Sequence, residues 1–209
     1  MRQILRNKKS YFKEMTILLS MVVIIRSLYF PLVKSEGKES SLATTSSYQT
    51  FNGKNFNILP KNKRIPVYFM KKIDGDTFRV LLNDKEINVR LLLVDTPESV
   101  KQGVAVQPFA IEGGQYTEKK LVNAEKIEIE FDKGKRTDHY GRALCYVYLD
   151  GTLLQESLVK EGLARVAYVY KPSTSQLKTL RRAEKSAKKT KKGIWSIPGY
   201  VTTKGFNQT

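Results

Sequence analysis

Apolar and polar positions divide the chain into distinct textures. A basic opening with Arg2, Arg6, Lys8, Lys9 and Lys13 leads into an apolar run from Met15 to Ile25, which Arg26 interrupts before Leu28 to Val33 resumes it. From Ser35 to about Lys63 the residues are mostly Ser, Thr, Asn, Gly and Lys with no sustained period, the composition of a linker or pro-segment. Beyond Arg64 come short β-branched and aromatic runs separated by turn residues. These predict strands over Pro66 to Lys72, Thr77 to Leu82, Ile87 to Val94, Lys126 to Phe131 and Leu144 to Leu149. Asp74-Gly75 marks a turn and Asn83 to Lys85 a hairpin loop. Helical spacing then appears at Leu154 and Leu158 within Leu153 to Gly162, and at Leu177, Leu180, Ala183 and Ala187 within Gln176 to Lys192. A third helix, from about Glu112 to Asn123, opens poorly, because Gly113 and Gly114 cost about 1 kcal/mol each there. Short strands of this kind favour a small barrel over a sandwich, so the predicted fold is a five-stranded β-barrel packed with about three helices, of the α+β class.

The N-terminal layout is that of a targeting segment. Met15 to Ile25 as a helix reaches about 16 Å, roughly half the hydrocarbon core of a bilayer, which suits a signal-peptide core better than an independent span. Counted through to Val33 the stretch just crosses if Arg26 is tolerated, so an uncleaved anchor stays open. The expected organisation is a signal peptide or membrane anchor over residues 1–34, a polar linker or pro-segment over 35–63, a folded domain over 64–200 and a short tail over 201–209.

Charge narrows the partners. With 37 Lys and Arg against 20 Asp and Glu, the net charge of +17 favours polyanions such as nucleic acid or anionic membrane. The one Cys excludes an intrachain disulfide framework, and together with the one His it excludes a Cys/His zinc cluster, so any metal must be held mainly by oxygen. If the second and third strands form a hairpin near Asp84, residues whose numbers sum to about 169 or 170 face each other. Asp76 then lies across from Leu93 or Val94, beside Asp95. Two carboxylates so placed suit a hard cation such as Ca²⁺, with Thr96 supplying a carbonyl; Asp in Asp-Gly and Asp-Thr-Pro also makes plain turns, and spacing does not separate the two readings. Arg90 is a charge among apolar neighbours and needs a carboxylate or a phosphate for its planar fork, whether as an ion pair or as a ligand contact.

These residues also carry a family resemblance. Ile73-Asp-Gly-Asp-Thr77, Arg90-Leu-Leu-Leu-Val-Asp-Thr-Pro-Glu98, Glu130-Phe-Asp-Lys-Gly134, Arg136-Thr-Asp-His-Tyr-Gly-Arg142 and Ala167-Tyr-Val-Tyr-Lys171 resemble the staphylococcal nuclease (thermonuclease) family, in its order and at compatible spacing, from about Val67 to Trp195. The resemblance implies an OB-type five-stranded barrel with three helices and a Ca²⁺-dependent, sugar-nonspecific phosphodiesterase that cuts DNA and RNA, single-stranded or denatured by preference, to 3′-phosphate products. It implies one calcium ion held by the side chains of Asp76 and Asp95 and the backbone carbonyl of Thr96. Glu98 would be the general base or the residue that positions water, and Arg90 and Arg142 would grip the phosphate and its transition state. Asp74 would support these ligands, and Tyr140, Tyr168 and Tyr170 would line the nucleotide pocket, although alternating Tyr in strands equally serves a sheet face.

Two departures stand out. His139 takes the place of a common Lys, and Ser99 to Gln115 keeps only Lys101 of a lysine-rich loop. The basic run on the last helix, Arg181 to Lys192, reads first as a solvated face and second as a means of concentrating DNA. Two other classes compete with the nuclease: a noncatalytic nucleic-acid-binding barrel, whose sign would be a lost metal carboxylate or phosphate arginine, and an envelope-binding adhesion protein that needs the first sixty or so residues. An extracytoplasmic monomer is expected, secreted or held at the membrane through its N-terminal segment, where calcium reaches the levels that such oxygen sites need.

Overall fold

In the computed structural model, residues 50–99 and 105–207 are described. The segment expected to be a signal or anchor, and the linker up to residue 49, lie outside them. Among the described residues no helix is long and apolar enough to cross a membrane.

The strands are β1 (Arg64–Lys72), β2 (Thr77–Leu82), β3 (Lys85–Leu91), β4 (Val94–Asp95), β5 (Ile127–Glu130), β6 (Ala143–Leu149), β7 (Thr152–Leu153) and β8 (Arg165–Val166). The helices are α1 (Ala110–Asn123), α2 (Leu154–Lys160) and α3 (Leu177–Lys189). Strands β3-β2-β1-β5-β6 run side by side, and a parallel pairing of β3 with β6 closes them into a five-stranded barrel. The closure depends on β1, which pairs with β5 through Arg64 to Val67 and with β2 through Tyr68 to Lys72. A register shift between Phe69 and Lys71 bends the strand between these two tasks. Inside, Ile65, Val67, Phe78, Val80, Val89, Leu91, Ile129 and Val147 form the buried core, and Cys145 is buried with them.

The structure corrects the expected hairpin. Asn83 and Asp84 both adopt positive φ, so the loop has two residues rather than three, and Leu82 pairs with Lys85, Thr77 with Arg90. Asn and Asp tolerate the left-handed region that such a turn requires, and the tighter loop slides every pair from the anticipated register. Asp76 therefore faces Leu91, whose N–H donates to its carbonyl at 3.0 Å, and not Leu93 or Val94. The third strand also ends at Leu91, three residues early. Leu93 turns the chain at φ 63°, and Val94-Asp95 pair instead with Val166 and Arg165 of β8. Because Leu91 to Val94 are all buried, nothing in the hydrophobic pattern marks this break.

Packed residues also extend past the expected 64–200 limits. Phe51, Phe56 and Leu59 are buried, and Phe56 contacts the rings of Phe51 and Phe131 at 5.1 and 6.1 Å. At the other end Tyr200, the last residue of the expected domain, is fully buried and donates to the Pro108 carbonyl at 2.8 Å, and beyond it Val201 and Phe206 bridge a small C-terminal hairpin. Helix α1 forms despite its glycines because Ala110, Thr117 and Leu121 are buried with them, so packing offsets the glycine cost.

Candidate active site

A cleft of about 690 Å³ opens on the barrel wall, and all nine residues singled out for chemistry line it: Asp76, Arg90, Asp95, Thr96, Glu98, Tyr140, Arg142, Tyr168 and Tyr170. Asp74 and His139 line it as well. Three segments supply the charged groups and Thr96, Tyr140 stands in one of them, and Tyr168 and Tyr170 come from the chain that follows β8.

The β1–β2 turn and the start of β2 supply Asp74, Asp76 and Thr77. Gly75 lets this turn press close to Thr96, because a Cβ there would lie 2.8 Å from Thr96 Oγ1 and force that side chain to shift. Thr117 of α1 anchors the turn by donating to the Gly75 carbonyl at 2.6 Å in a buried contact. Asp76, also buried, accepts from Thr77 Oγ1 at 2.9 Å and from the Thr96 N–H at 3.2 Å.

The end of β3 and the β4 segment supply Arg90, Asp95, Thr96 and Glu98. Arg90 is 9% exposed, and its guanidinium is the hub of the site. Its Nη1 donates to the carbonyls of Leu91 and Val94 at 2.6 and 2.9 Å, which fixes the turn. Its Nη2 lies 3.1 Å from Asp76 and 3.8 Å from Asp95. Thus two carboxylates converge on one cationic atom, as the misjudged register had anticipated by a different path. Gln107 brackets Glu98, its side chain accepting from the Glu98 N–H at 2.7 Å and its own N–H donating to the Glu98 carbonyl at 3.1 Å.

The β5–β6 loop supplies Arg142. Asp138 accepts from the N–H groups of Tyr140 and Arg142 on one oxygen and from Arg142 Nε at 2.6 Å on the other. Burial works to raise the Asp138 pKa, but these bonds outweigh it and hold the carboxyl below its usual value. The Arg142 fork lies under the Tyr140 ring and donates to Thr77 Oγ1 at 3.4 Å, which links it to Asp76. The Arg90 guanidinium stands 5.4 Å from the centre of the Tyr168 ring.

Sequence reasoning missed Arg165. From β8 it donates through Nε and places Nη2 at 2.9 Å on the outer oxygen of Asp95, while Nη1 reaches the carbonyls of Thr202 and Thr203 in the C-terminal hairpin. An alternating apolar strand would have flagged it as the odd charge, but β8 has only two residues and no such pattern. Burial raises the Asp95 pKa; Arg165 and Arg90 oppose that rise and the neighbouring Asp76 adds to it.

Among the described residues no group of three or more His, Cys, Asp or Glu forms a metal cluster. The donors that do converge are all oxygen, and Thr96 Oγ1 beside Asp76 is buried with no hydrogen-bond partner among them. A hard divalent cation fits this donor chemistry, whereas a soft one does not.

The model of a family described as staphylococcal nuclease homologue matches residues 88–197, which hold the arginine hub, Glu98, Arg142 and the three tyrosines Tyr140, Tyr168 and Tyr170. The chain belongs to the staphylococcal nuclease family. Within that family it is similar to endonuclease YncB of Bacillus subtilis (strain 168), with 52% identity over 147 residues that cover 70% of this chain and 69% of the relative. It resembles the SPbeta prophage-derived endonuclease YokF of the same organism at 50% identity over 143 residues, 68% of this chain and 48% of that one. A thermonuclease of Staphylococcus hyicus is 42% identical over 127 residues, 61% and 73% of the two chains. The closed barrel with three helices is the architecture expected of this family.

Proposed function

We propose that the chain is a calcium-dependent, sugar-nonspecific endonuclease that hydrolyses phosphodiester bonds in DNA and RNA and leaves 3′-phosphate ends. One observation carries the reading: the carboxylates of Asp76 and Asp95, Glu98, and the arginines Arg90 and Arg142, brought together from separate segments of the fold, line one cleft whose outer wall holds three tyrosines. The family, and relatives named endonuclease and thermonuclease, support it.

In this reading the side chains of Asp76 and Asp95 and the carbonyl of Thr96 would hold one Ca²⁺, which when bound supplies positive charge to the phosphoryl oxygens. Arg90 and Arg142 grip the scissile phosphate, and because their forks are already oriented by Leu91, Val94 and Asp138, little reorganisation is needed as charge builds in the five-coordinate transition state. Glu98 accepts a proton from the attacking water. The water oxygen bonds to phosphorus, the bond to the 5′ oxygen breaks, and the leaving oxygen ends as a hydroxyl, with the proton balance closed through solvent. Tyr140, Tyr168 and Tyr170 present exposed rings on which bases can stack irrespective of sequence, which favours single-stranded or denatured substrate. The basic and apolar N-terminal segment supports an extracytoplasmic location, by secretion or membrane attachment, and a monomer suffices for the site.

The test is hydrolysis of heat-denatured DNA and of RNA by the purified protein, with Ca²⁺ and then with EGTA. Calcium-dependent cleavage to 3′-phosphate ends is expected. A folded protein that binds DNA without cutting it would overturn the assignment in favour of a noncatalytic binding barrel.

A further inference from the structure

A second cleft, of about 760 Å³, adjoins the first and shares Tyr168 and Tyr170 with it. These two tyrosines and Val169 between them are exposed, so an apolar ridge separates the two hollows. Beyond the ridge the wall comes from α3, Trp195 and the C-terminal hairpin, which contribute Arg181, Lys188 and Lys204. Glu184 is the one acid in that lining, and it is already engaged. It is buried, one oxygen accepts from the Val166 N–H at 2.7 Å, and the other contacts both Arg181 at 2.9 Å and Lys188 at 3.2 Å. Three cations against one carboxylate leave the wall positive. The Lys188 ammonium sits 4.4 Å from the Trp195 ring centre, which holds its charge at the cleft. Arg165, though part of the lining, is turned toward Asp95 and adds no free charge.

A positive trough that continues a candidate phosphate site across an exposed aromatic ridge has the two attributes of a single-strand platform, cations for the backbone and π-faces for the bases. We propose that this second cleft is a track for the nucleotides of a single-stranded substrate beyond the scissile phosphate, with Tyr168 and Tyr170 stacking bases at the crossing and Arg181, Lys188 and Lys204 contacting phosphates. The inference rests on the nuclease reading and extends it from one bond to a strand. It also divides the basic helix: the cations that line the trough bind substrate, while Lys185 on the same helix lies outside the trough and is solvated.

The test compares kcat/KM for a trinucleotide and a dodecanucleotide of the same labelled single-stranded type, at several salt concentrations. Lys204→Glu and Arg181→Gln are the variants; the second leaves Lys188 to pair with Glu184, and the first lies on the hairpin, away from that pair. Each is expected to lower the ratio of long-strand to short-strand kcat/KM several-fold, and the double variant about tenfold, with a shallower salt dependence because fewer counterions are released. Lys185→Glu, an equal change of charge to Lys204→Glu, is expected to leave the ratio within about twofold, since diffuse attraction alone is screened. An unchanged ratio in Lys204→Glu, or the same fall in Lys185→Glu, overturns the track. If the wild-type protein cleaves neither oligonucleotide the nuclease reading fails separately, and the dodecanucleotide affinity measured by fluorescence anisotropy then decides: a loss confined to Lys204→Glu and Arg181→Gln upholds the track, and equal affinities overturn it.

Discussion

Two aspartates, Asp132 buried and Asp95 partly buried, sit on opposite terms with their surroundings. Asp132, beyond the end of β5, accepts hydrogen bonds from Tyr146 Oη at 2.9 Å, from the N–H and hydroxyl of Ser175 at 2.9 and 2.6 Å, and from the Lys133 N–H at 2.7 Å. Burial works to raise its pKa, but these donors prevail and hold it below the usual value. Asp95 has one close partner in Arg165 and a longer contact to Arg90, lies against the cleft, and is pushed upward by burial and by Asp76. Fixed neutral donors on every side make Asp132 a pin that ties the approach to α3 onto the barrel. Two charged partners, Arg165 and Arg90, at an open wall leave Asp95 a carboxylate facing the cleft. Satisfaction of the group, more than its burial, separates structure from chemistry here.

Substitutions should divide along the same line. In the cleft, Glu98→Gln and Arg142→Ala are each expected to lower kcat by roughly 10²- to 10⁴-fold, with the urea midpoint little changed. Near-normal cleavage by either would remove that residue from the mechanism. At the pin, Asp132→Ala strands the Ser175 and Tyr146 donors and is expected to cost about 3 kcal/mol in urea unfolding, while turnover below the unfolding transition persists. Its pH signature has a definite sign. A folded pKa below the unfolded one gives stability that is complete above about pH 4 and is lost as pH falls through the folded value, so the variant should show a flatter acid limb than the wild type. An unaltered acid limb would mean that Asp132 does not carry that dependence. The smallest effect is expected at the exposed ridge, where Tyr170→Ala removes one stacking face and raises KM about fivefold or more, with kcat preserved. A fall in kcat instead would place Tyr170 closer to the reacting phosphate.

Much of the domain could be read directly. The strand and helix positions agree with the structure within a few residues, and every candidate site residue reached the same cleft. The misreadings share a cause. The two-residue turn at Asn83-Asp84 and the bend at Leu93 are backbone choices among residues whose side chains permit several, and each shifts what faces Asp76. The glycine-rich opening of α1 looks weak because its support is distant, from the barrel and from the chain leading into the helix. Phe51, Phe56 and Leu59 lie in a polar stretch whose average composition conceals three core side chains.

Local chemistry marked the candidate groups: the oxygen donors Asp76, Asp95 and Thr96 and the odd charge Arg90 stand out by residue type and position, while Glu98 and Arg142 were named through the family motifs, and all of these properties travel with the local sequence. Convergence was settled by packing. Closing β3 onto β6 and pairing β4 with β8 bring Arg90 to Asp76 and Asp95, let Arg165 clamp Asp95 from a distant segment, and put an aromatic ridge between the candidate site and a positive cleft. Each depends on pairings between segments far apart in the chain, where no local periodicity records it.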